Sequence, residues 1–430
     1  MARVPARGAG APASDKQVES AYRAARERFA ALGVDTEAAI AQALAVPISV
    51  QCWQADDVRG LEGAGEGVDS GGLQATGNYP GAARSGDEIR QDFDRARSWM
   101  PGVVRLNLHA MYAETGGQRV DRDALEPAHF ARWVAWAQER GLGLDFNPTC
   151  FAHPMVRDGL TLSSESNEVR AFWIRHCQAC RRIARAMARQ LGPVVNNIWI
   201  PDGRKDSTVD RWAPRQRLVE ALDQVLAGRL PGVVDSVESK LFGIGGEDYT
   251  VGSHEFYLAY GVSRKVAICF DLGHFHPTES VADKLSSALL FLDRLLVHVS
   301  RGVRWDSDHV VLANEQVQAL CDEAVRGRAL KRIYWAMDYF DASINRVGAW
   351  VVGQRALRKS LLRALLEPWE LHRRAEREGR GADKLALLER RDEMPLGAVW
   401  DYACLQAGVP VGTAWLAELA DYERKVLARR

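Results

Sequence analysis

Short apolar, β-branched runs recur along the chain, and each ends in polar residues before a stretch with helical spacing begins. Eight such runs are predicted to be strands: 47–54, 103–110, 143–150, 196–203, 233–240, 265–274, 295–300 and 333–341. Helical patterns lie between them at 127–141, 168–190, 213–228, 279–292 and 314–328. Alternating strands and helices indicate a parallel sheet, and eight strands close a (β/α)₈ (TIM) barrel. We therefore predict this barrel, with a doubly wound open sheet as the alternative.

Three segments lie outside a minimal barrel. Residues 1–16 lack an apolar segment and are predicted to be a disordered tail, followed by the barrel at 17–348. The glycine-rich stretch 60–81 follows the first strand and is typical of a lid loop, although an insertion without a role is the alternative. Residues 349–430 carry Leu, Arg, Glu and Ala at helical spacing, which predicts helices packed outside the barrel or against another subunit.

The amino-acid composition indicates which kinds of molecule the protein binds and in which compartment it works. The 430 residues include 56 basic and 56 acidic ones, and this zero net charge counts against a nucleic-acid-binding protein. The seven cysteines are scattered and odd in number, so we expect no disulfides and a reducing compartment. Cys177 and Cys180 lack a second cysteine pair, and we interpret their spacing as coincidence. With no secretory signal or membrane-spanning run, we expect a cytoplasmic protein that acts on a small molecule.

Carboxylates and imidazoles are concentrated at the ends of the fifth to eighth predicted strands. In a (β/α)₈ barrel these ends form the catalytic face, and charged groups buried there need a partner. Four such residues come from four successive strands: Glu238, Asp271, His298 and Asp338. Three carboxylates with one imidazole suit Mn²⁺, Mg²⁺ or Co²⁺ better than they resemble a structural site in which cysteines hold zinc. The sequence therefore predicts a divalent metal site.

A second set of candidate ligands lies slightly further out, in the loops beyond the sixth and seventh strands. It comprises His274, Asp306 and Asp308, and the two aspartates face the same side of an extended segment. These residues predict a second metal site with open positions for substrate or water. Single strand-end residues are more often helix caps or core residues, which is our interpretation of His276 and Asp341.

Further side chains are expected around the metals. Lys240, two residues beyond Glu238, could hold a substrate oxygen and polarise a carbonyl, with a solvated surface lysine as the alternative. His109 ends the second predicted strand and His309 follows the aspartate pair, where its role is undecided. Three tryptophans could stack on a sugar ring or simply pack the barrel: Trp53, Trp199 and Trp305.

Several segments together resemble L-rhamnose isomerases of the enterobacterial type. They include QCWQADDVRG, RLNLHA, VESKLFGIG, DLGHFHPTE, HVSRGVRWDSDHVV and MDYFDASINR, and the resemblance extends from about residue 17 to the C-terminus. It implies a (β/α)₈ barrel, a homotetramer and the conversion of L-rhamnose to L-rhamnulose. It also implies two divalent metals per subunit, commonly manganese, with Zn²⁺, Co²⁺ or Mg²⁺ as alternatives.

The resemblance assigns roles to the candidate residues one by one. The ligands that it implies for one metal are Glu238, Asp271, His298 and Asp338. Those that it implies for the other, nearer the reacting carbons, are His274, Asp306 and Asp308. Lys240 matches a lysine that contacts a substrate oxygen, and His109 matches a histidine on the substrate side. The chain departs from the family at its N-terminal tail, at Gly302 and at 334–336, without loss of a proposed ligand.

An aldose–ketose isomerisation moves one hydrogen between C1 and C2 and one proton between their oxygens. Two adjacent cations could bind both oxygens, so we expect a metal-assisted 1,2-hydride shift, with Asp306 near the moving proton and Lys240 at O1. Proton abstraction through an enediol is the alternative, and His109 is a candidate for ring opening. Two other classes stay open: a metal-dependent nuclease or phosphodiesterase, and a catalytically silent sugar-binding or scaffold protein.

Overall fold

The computed structural model describes residues 13–62, 75–241, 246–303 and 309–430. Eight parallel strands form a closed barrel, in which each strand pairs with its neighbours in sequence and the last pairs with the first. They are β1 Ile48–Gln51, β2 Val104–His109, β3 Gly143–Asn147, β4 Val194–Trp199, β5 Val233–Glu238, β6 Ala267–Asp271, β7 Leu295–Val299 and β8 Ile333–Met337. The predicted (β/α)₈ barrel is confirmed, and the open-sheet alternative is wrong.

Helices follow every strand and cover the barrel. The barrel helices are α3 Gly86–Arg97, α4 Ala131–Glu139, α5 Asn167–Leu191, α6 Trp212–Val225, α7 His254–Arg264, α8 Val281–Leu289, α9 Glu315–Arg326 and α10 Arg346–Leu365. The five helices expected from the pattern correspond to α4, α5, α6, α8 and α9. The predicted strands were too long at their ends, because residues such as 272–274 turn into short 3₁₀ helices as soon as the sheet ends.

Helices from both chain ends pack together outside the barrel. These are α1 Asp15–Ala30, α2 Thr36–Ala45, α11 Trp369–Arg377, α12 Gly381–Glu389, α13 Leu396–Gln406 and α14 Trp415–Lys425. Tyr22, Ile40 and Trp400 belong to an apolar cluster shared by α1, α2, α13 and the end of α10. Tyr22 also stacks on Tyr402, with ring centroids 3.8 Å apart. The division at 1–16, 17–348 and 349–430 stays a prediction.

Two of the predicted segments lie partly outside the described residues. They are the N-terminal tail, of which 1–12 are not described, and the lid loop 60–81, of which 63–74 are not described. None of the helices in the described ranges combines the length and the apolar character that crossing a bilayer requires.

The inside of the barrel holds both apolar and polar side chains. Val195, Cys269, Leu296 and Ala336 form a small apolar cluster between β4, β6, β7 and β8. A cavity inside the strands is lined by Val195, Leu296 and Ala336 of this cluster and by the polar residues Ser49, Arg105, Asn107, Asp145, Asn147 and Asn197. Buried polar groups need hydrogen-bond partners, so this interior is suited to holding polar chemistry rather than only packing.

A buried ion pair ties α10 to the turn that follows β1. Nε and Nη2 of Arg346 donate hydrogen bonds to the two carboxylate oxygens of Asp57, at 2.6 and 2.7 Å. The Arg346 side chain is 3% exposed. Asp57 and Val58 both have φ near +60°, a left-handed conformation that β-branched residues rarely adopt. The ion pair therefore holds a strained turn next to the closing strands of the barrel.

Replacing Arg346 by methionine is expected to lower the free energy of unfolding by about 2–3 kcal/mol, because Asp57 loses its buried partner and keeps only an exposed one, Arg59, whose Nη2 lies 3.3 Å away. Arg26→Met is the control, since Arg26 pairs with Glu37 at a site where both side chains are more than half exposed. That control should cost about 1 kcal/mol or less. Denaturant unfolding of both variants tests this, and equal losses would contradict a structural role for the buried pair.

His176 on α5 is held in its neutral form by two hydrogen bonds. Its Nδ1 lies 2.9 Å from the carbonyl oxygen of Arg122, and its Nε2 accepts the backbone N–H of Thr149 at 3.0 Å. One ring nitrogen must donate and the other must accept, which a neutral imidazole can do. Burial lowers the pKa of His176 to about 3. The loop after β3 thus depends on an uncharged histidine.

Protonation of His176 is expected to destabilise the protein in acid. An unfolded histidine has a pKa of about 6.5, so between about pH 6.5 and 3 the unfolded chain binds a proton that the folded chain does not. This contribution to stability is present above pH 6.5 and is lost as the pH falls, by up to about 1.4 kcal/mol per pH unit. His176→Gln should show a shallower fall in unfolding free energy between pH 6 and 4.5. Identical pH slopes would refute this assignment.

Candidate metal centre

Four of the predicted metal ligands converge at the C-terminal end of the barrel. Glu238 ends β5, Asp271 ends β6, His298 lies on β7 and Asp338 directly follows β8. One ligand atom from each of the four lies within 4.8 Å of those of the others. All four side chains are buried, and His298 is fully inaccessible. The pairing of neighbouring parallel strands brings all four to the C-terminal end of the barrel.

Several polar atoms in this cluster lie close to one another but make no hydrogen bond. Nδ1 of His298 lies 3.1 Å from Asp338 Oδ2, 3.3 Å from Glu238 Oε1 and 3.5 Å from Asp271 Oδ2. Among the described residues, Glu238 Oε1, Asp271 Oδ2, Asp338 Oδ1 and both ring nitrogens of His298 accept or donate no hydrogen bond. Buried oxygen and nitrogen atoms that converge without partners fit a bound divalent cation.

The charges in the cluster disturb one another strongly. Burial raises the pKa of Asp338 to about 6, although His298 lowers it. Burial acts to raise the pKa of Glu238 as well, but His298 and His274 outweigh it and that pKa is lowered. For His298, burial acts to lower the pKa, yet Cys269 and the carboxylates raise it well above its ordinary value. The cluster thus needs positive charge, which a divalent cation supplies more fully than one imidazolium.

Neighbouring groups orient two of the carboxylates. The side-chain amide of Asn197 donates to Glu238 Oε2. The backbone N–H of Gly273 and the hydroxyl of Ser300 donate to Asp271 Oδ1, at 2.7 and 2.9 Å. Such supporting hydrogen bonds leave the other carboxylate oxygen aimed at the centre of the cluster. Sequence analysis missed Asn197 and Ser300; the only available signal was a polar residue within or just after an apolar strand.

The predicted second site is only partly within the described residues. His274 is buried, and its Nδ1 lies 2.9 Å from the carbonyl oxygen of Ser239 and 3.3 Å from Glu238 Oε1. A carbonyl that accepts Nδ1–H fixes the orientation of the imidazole ring, as in many metal-binding histidines. Asp306, Asp308 and Trp305 lie outside the described residues. The second set of ligands therefore stays a prediction.

Lys240 and His109 approach from two sides of the barrel end. Nζ of Lys240 lies 4.9 Å from the centre of the Trp199 ring, which also stacks against His274. His109 stacks on Trp53 with ring centroids 4.1 Å apart, and its Nε2 lies 3.1 Å from Nδ2 of Asn147. Burial and, to a lesser degree, His298 lower the pKa of His109 to about 3. His109 is therefore neutral near pH 7 and keeps a hydrogen on Nδ1.

The remaining candidates occupy ordinary structural positions. Asp341 Oδ1 accepts a hydrogen bond from the backbone N–H of Ser343 at 2.8 Å. Nδ1 of His276 contacts the hydroxyl of Thr278. The backbone of His309 bridges to Arg301. Cys177 and Cys180 are both buried on α5, and no cluster that could hold a metal includes either of them among the described residues.

Comparison with known proteins agrees with the resemblance seen in the sequence. The family model described as L-rhamnose isomerase (RhaA) matches residues 16–430. A protein named L-rhamnose isomerase from Yersinia pseudotuberculosis serotype IB (strain PB1/+) is 53% identical over 416 residues, covering 96% of this chain and 99% of the relative. One of the same name from Cronobacter sakazakii (strain ATCC BAA-894) is 54% identical with the same coverage. The chain is therefore an isomerase and belongs to the L-rhamnose isomerase family.

Proposed function

We propose that this protein converts L-rhamnose to L-rhamnulose with a divalent cation bound by Glu238, Asp271, His298 and Asp338. The observation that carries the proposal is the convergence of three buried carboxylates on one imidazole. Each carboxylate has one oxygen that accepts no hydrogen bond among the described residues. This donor set suits Mn²⁺, which we propose as the working ion, with Zn²⁺, Co²⁺ or Mg²⁺ able to compete. Membership of the family supports the sugar substrate.

A second cation is proposed at His274, Asp306 and Asp308, nearer the reacting carbons. His274 supports this proposal, because its Nδ1 is engaged by Ser239 and by the neighbouring carboxylate of Glu238. Bound cations would supply Lewis-acid stabilisation of both oxygens of the opened sugar, which is the chemistry that a 1,2-hydride shift from C2 to C1 needs. We assign Asp306 to assisting the transfer of the proton between the two oxygens.

The protein's own side chains orient the sugar in this proposal. Lys240 donates a hydrogen bond to O1 and stabilises negative charge there, while Trp199 beneath its ammonium group fixes its position. His109, with a pKa of about 3, is a poor base for removing a proton from O5. We therefore assign it to donating a hydrogen bond from Nδ1 to a sugar hydroxyl, in a site walled by Trp53.

We further propose a cytoplasmic homotetramer with no nucleic-acid or membrane partner. The family resemblance supports the tetramer, as do large apolar side chains on the surface of the chain, such as Trp212 with an exposed fraction of 88%. The reducing compartment is supported by all seven cysteines being free and buried.

Replacing Asp338 by asparagine is expected to lower kcat/KM for L-rhamnose at least about 100-fold, since an anionic ligand is lost. Asp341→Asn is the matched control three residues further on, because that carboxylate only caps a turn, and it should stay within about threefold of wild type. Ketose formation with Mn²⁺ present measures both variants. Equal activity of the two would reject the assignment of Asp338 as a ligand.

The hydride route predicts that no solvent hydrogen enters a carbon–hydrogen bond. Isomerisation of L-rhamnose in deuterated water should give L-rhamnulose without deuterium at C1, because the hydrogen moves directly between the carbons. A base that works through an enediol would exchange that hydrogen with solvent. Mass spectrometry of the ketose after a single passage through the reaction decides the matter, and substantial carbon-bound deuterium would rule the hydride route out.

A further inference from the structure

Cys269 lies directly beside the metal centre but is not one of its proposed ligands. It precedes Asp271 by two residues on β6, so that its side chain points into the barrel one level lower. In the sheet it is paired with Glu238, and it is fully buried. Its sulfur, one oxygen of Glu238 and one ring nitrogen of His298 all lie within 4.8 Å of one another. Glu238 and His298 therefore belong to two overlapping groups of donor atoms.

The two groups differ in the kind of cation that they suit. The upper group adds Asp271 and Asp338, so it is dominated by oxygen and favours Mn²⁺ or Mg²⁺. The lower group replaces these carboxylates by a thiol, and thiolate sulfur favours softer ions such as Zn²⁺ and Cd²⁺. The two groups share Glu238 and His298, and among the described residues Glu238 Oε1 and both ring nitrogens of His298 make no hydrogen bond.

We propose that Cys269, Glu238 and His298 form a second, overlapping site for a thiophilic divalent cation. The proposal rests on the proposed function, because it shares Glu238 and His298 with the working metal site. On binding, the S–H bond of Cys269 breaks, its proton passes to water and a metal–sulfur bond forms. A cation held there withdraws Glu238 and His298 from Asp271 and Asp338, so Cd²⁺ displaces Mn²⁺ and stops turnover.

A second group of thiols in the protein provides the control. Sγ of Cys150 and Sγ of Cys177 are 3.8 Å apart, and Cys180 contacts the ring of His176. Both nitrogens of His176 are already engaged by Arg122 and Thr149, so this imidazole is less available to a cation. This second group of thiols is nevertheless the alternative source of any cadmium–thiolate absorption.

The experiment compares Cys269→Ser with Cys177→Ser. Full-length protein stripped with chelator is titrated with Cd²⁺ while the ultraviolet charge-transfer absorption of cadmium–thiolate is recorded, and Mn²⁺ is then added in competition. Wild type and Cys177→Ser should show the band, and Cys269→Ser should lack it. The preference for Cd²⁺ over Mn²⁺ should fall at least about tenfold in Cys269→Ser, as loss of a ligand requires.

Two results would overturn the inference. A band that persists in Cys269→Ser and disappears in Cys177→Ser would place the cation at the other thiols. If wild type binds Mn²⁺ but shows no cadmium–thiolate band, the proposed metal centre stands and only the role of Cys269 is refuted. If wild type binds neither cation, the metal centre and the role of Cys269 are both refuted. Cys269→Ala, which suits the apolar neighbours Val195, Leu296 and Ala336, replaces the serine variant if that variant unfolds at a lower temperature than wild type.

Discussion

Burial of three carboxylates around a single imidazole is the constraint on which the rest of this structure depends. Removing one carboxylate from water without a partner is costly, and three in one place repel each other as well. Burial raises the pKa of Asp338 to about 6, while the neighbouring carboxylates favour the protonated form of His298. A divalent cation relieves the burial and the repulsion together, which is why a site of this kind is built for a metal rather than for stability alone.

The barrel supplies the rigidity that such a cluster needs. Paired parallel strands bring the ends of β5 to β8 together at one end of the barrel, so each ligand arrives from a different backbone segment held by its neighbours. Hydrogen bonds from Asn197 and Ser300 then fix individual carboxylates. On the strand next to β8, the Asp57–Arg346 pair holds the turn after β1, where the barrel closes. These contacts thereby hold the elements around the site in place.

Sequence alone predicted the barrel and the convergence of Glu238, Asp271, His298 and Asp338, because both follow from periodicity and from the position of polar residues after apolar strands. It could not identify Asn197 as a support for Glu238, since an amide within an apolar strand has no distinctive pattern. Cys269 was missed as a neighbour of the metal centre for a related reason: its level in the barrel depends on strand register, which sequence does not reveal. The second metal site rests on Asp306 and Asp308, so its geometry stays a prediction.

The most direct test of the central claim is ketose formation from L-rhamnose by protein that has been stripped with chelator and then assayed with and without Mn²⁺. The account predicts that the stripped protein stays folded but inactive, and that Mn²⁺ restores production of L-rhamnulose. Unchanged turnover without any divalent cation would contradict the role given to the buried carboxylates. Folded protein that forms no ketose with any divalent cation would contradict the proposed reaction itself.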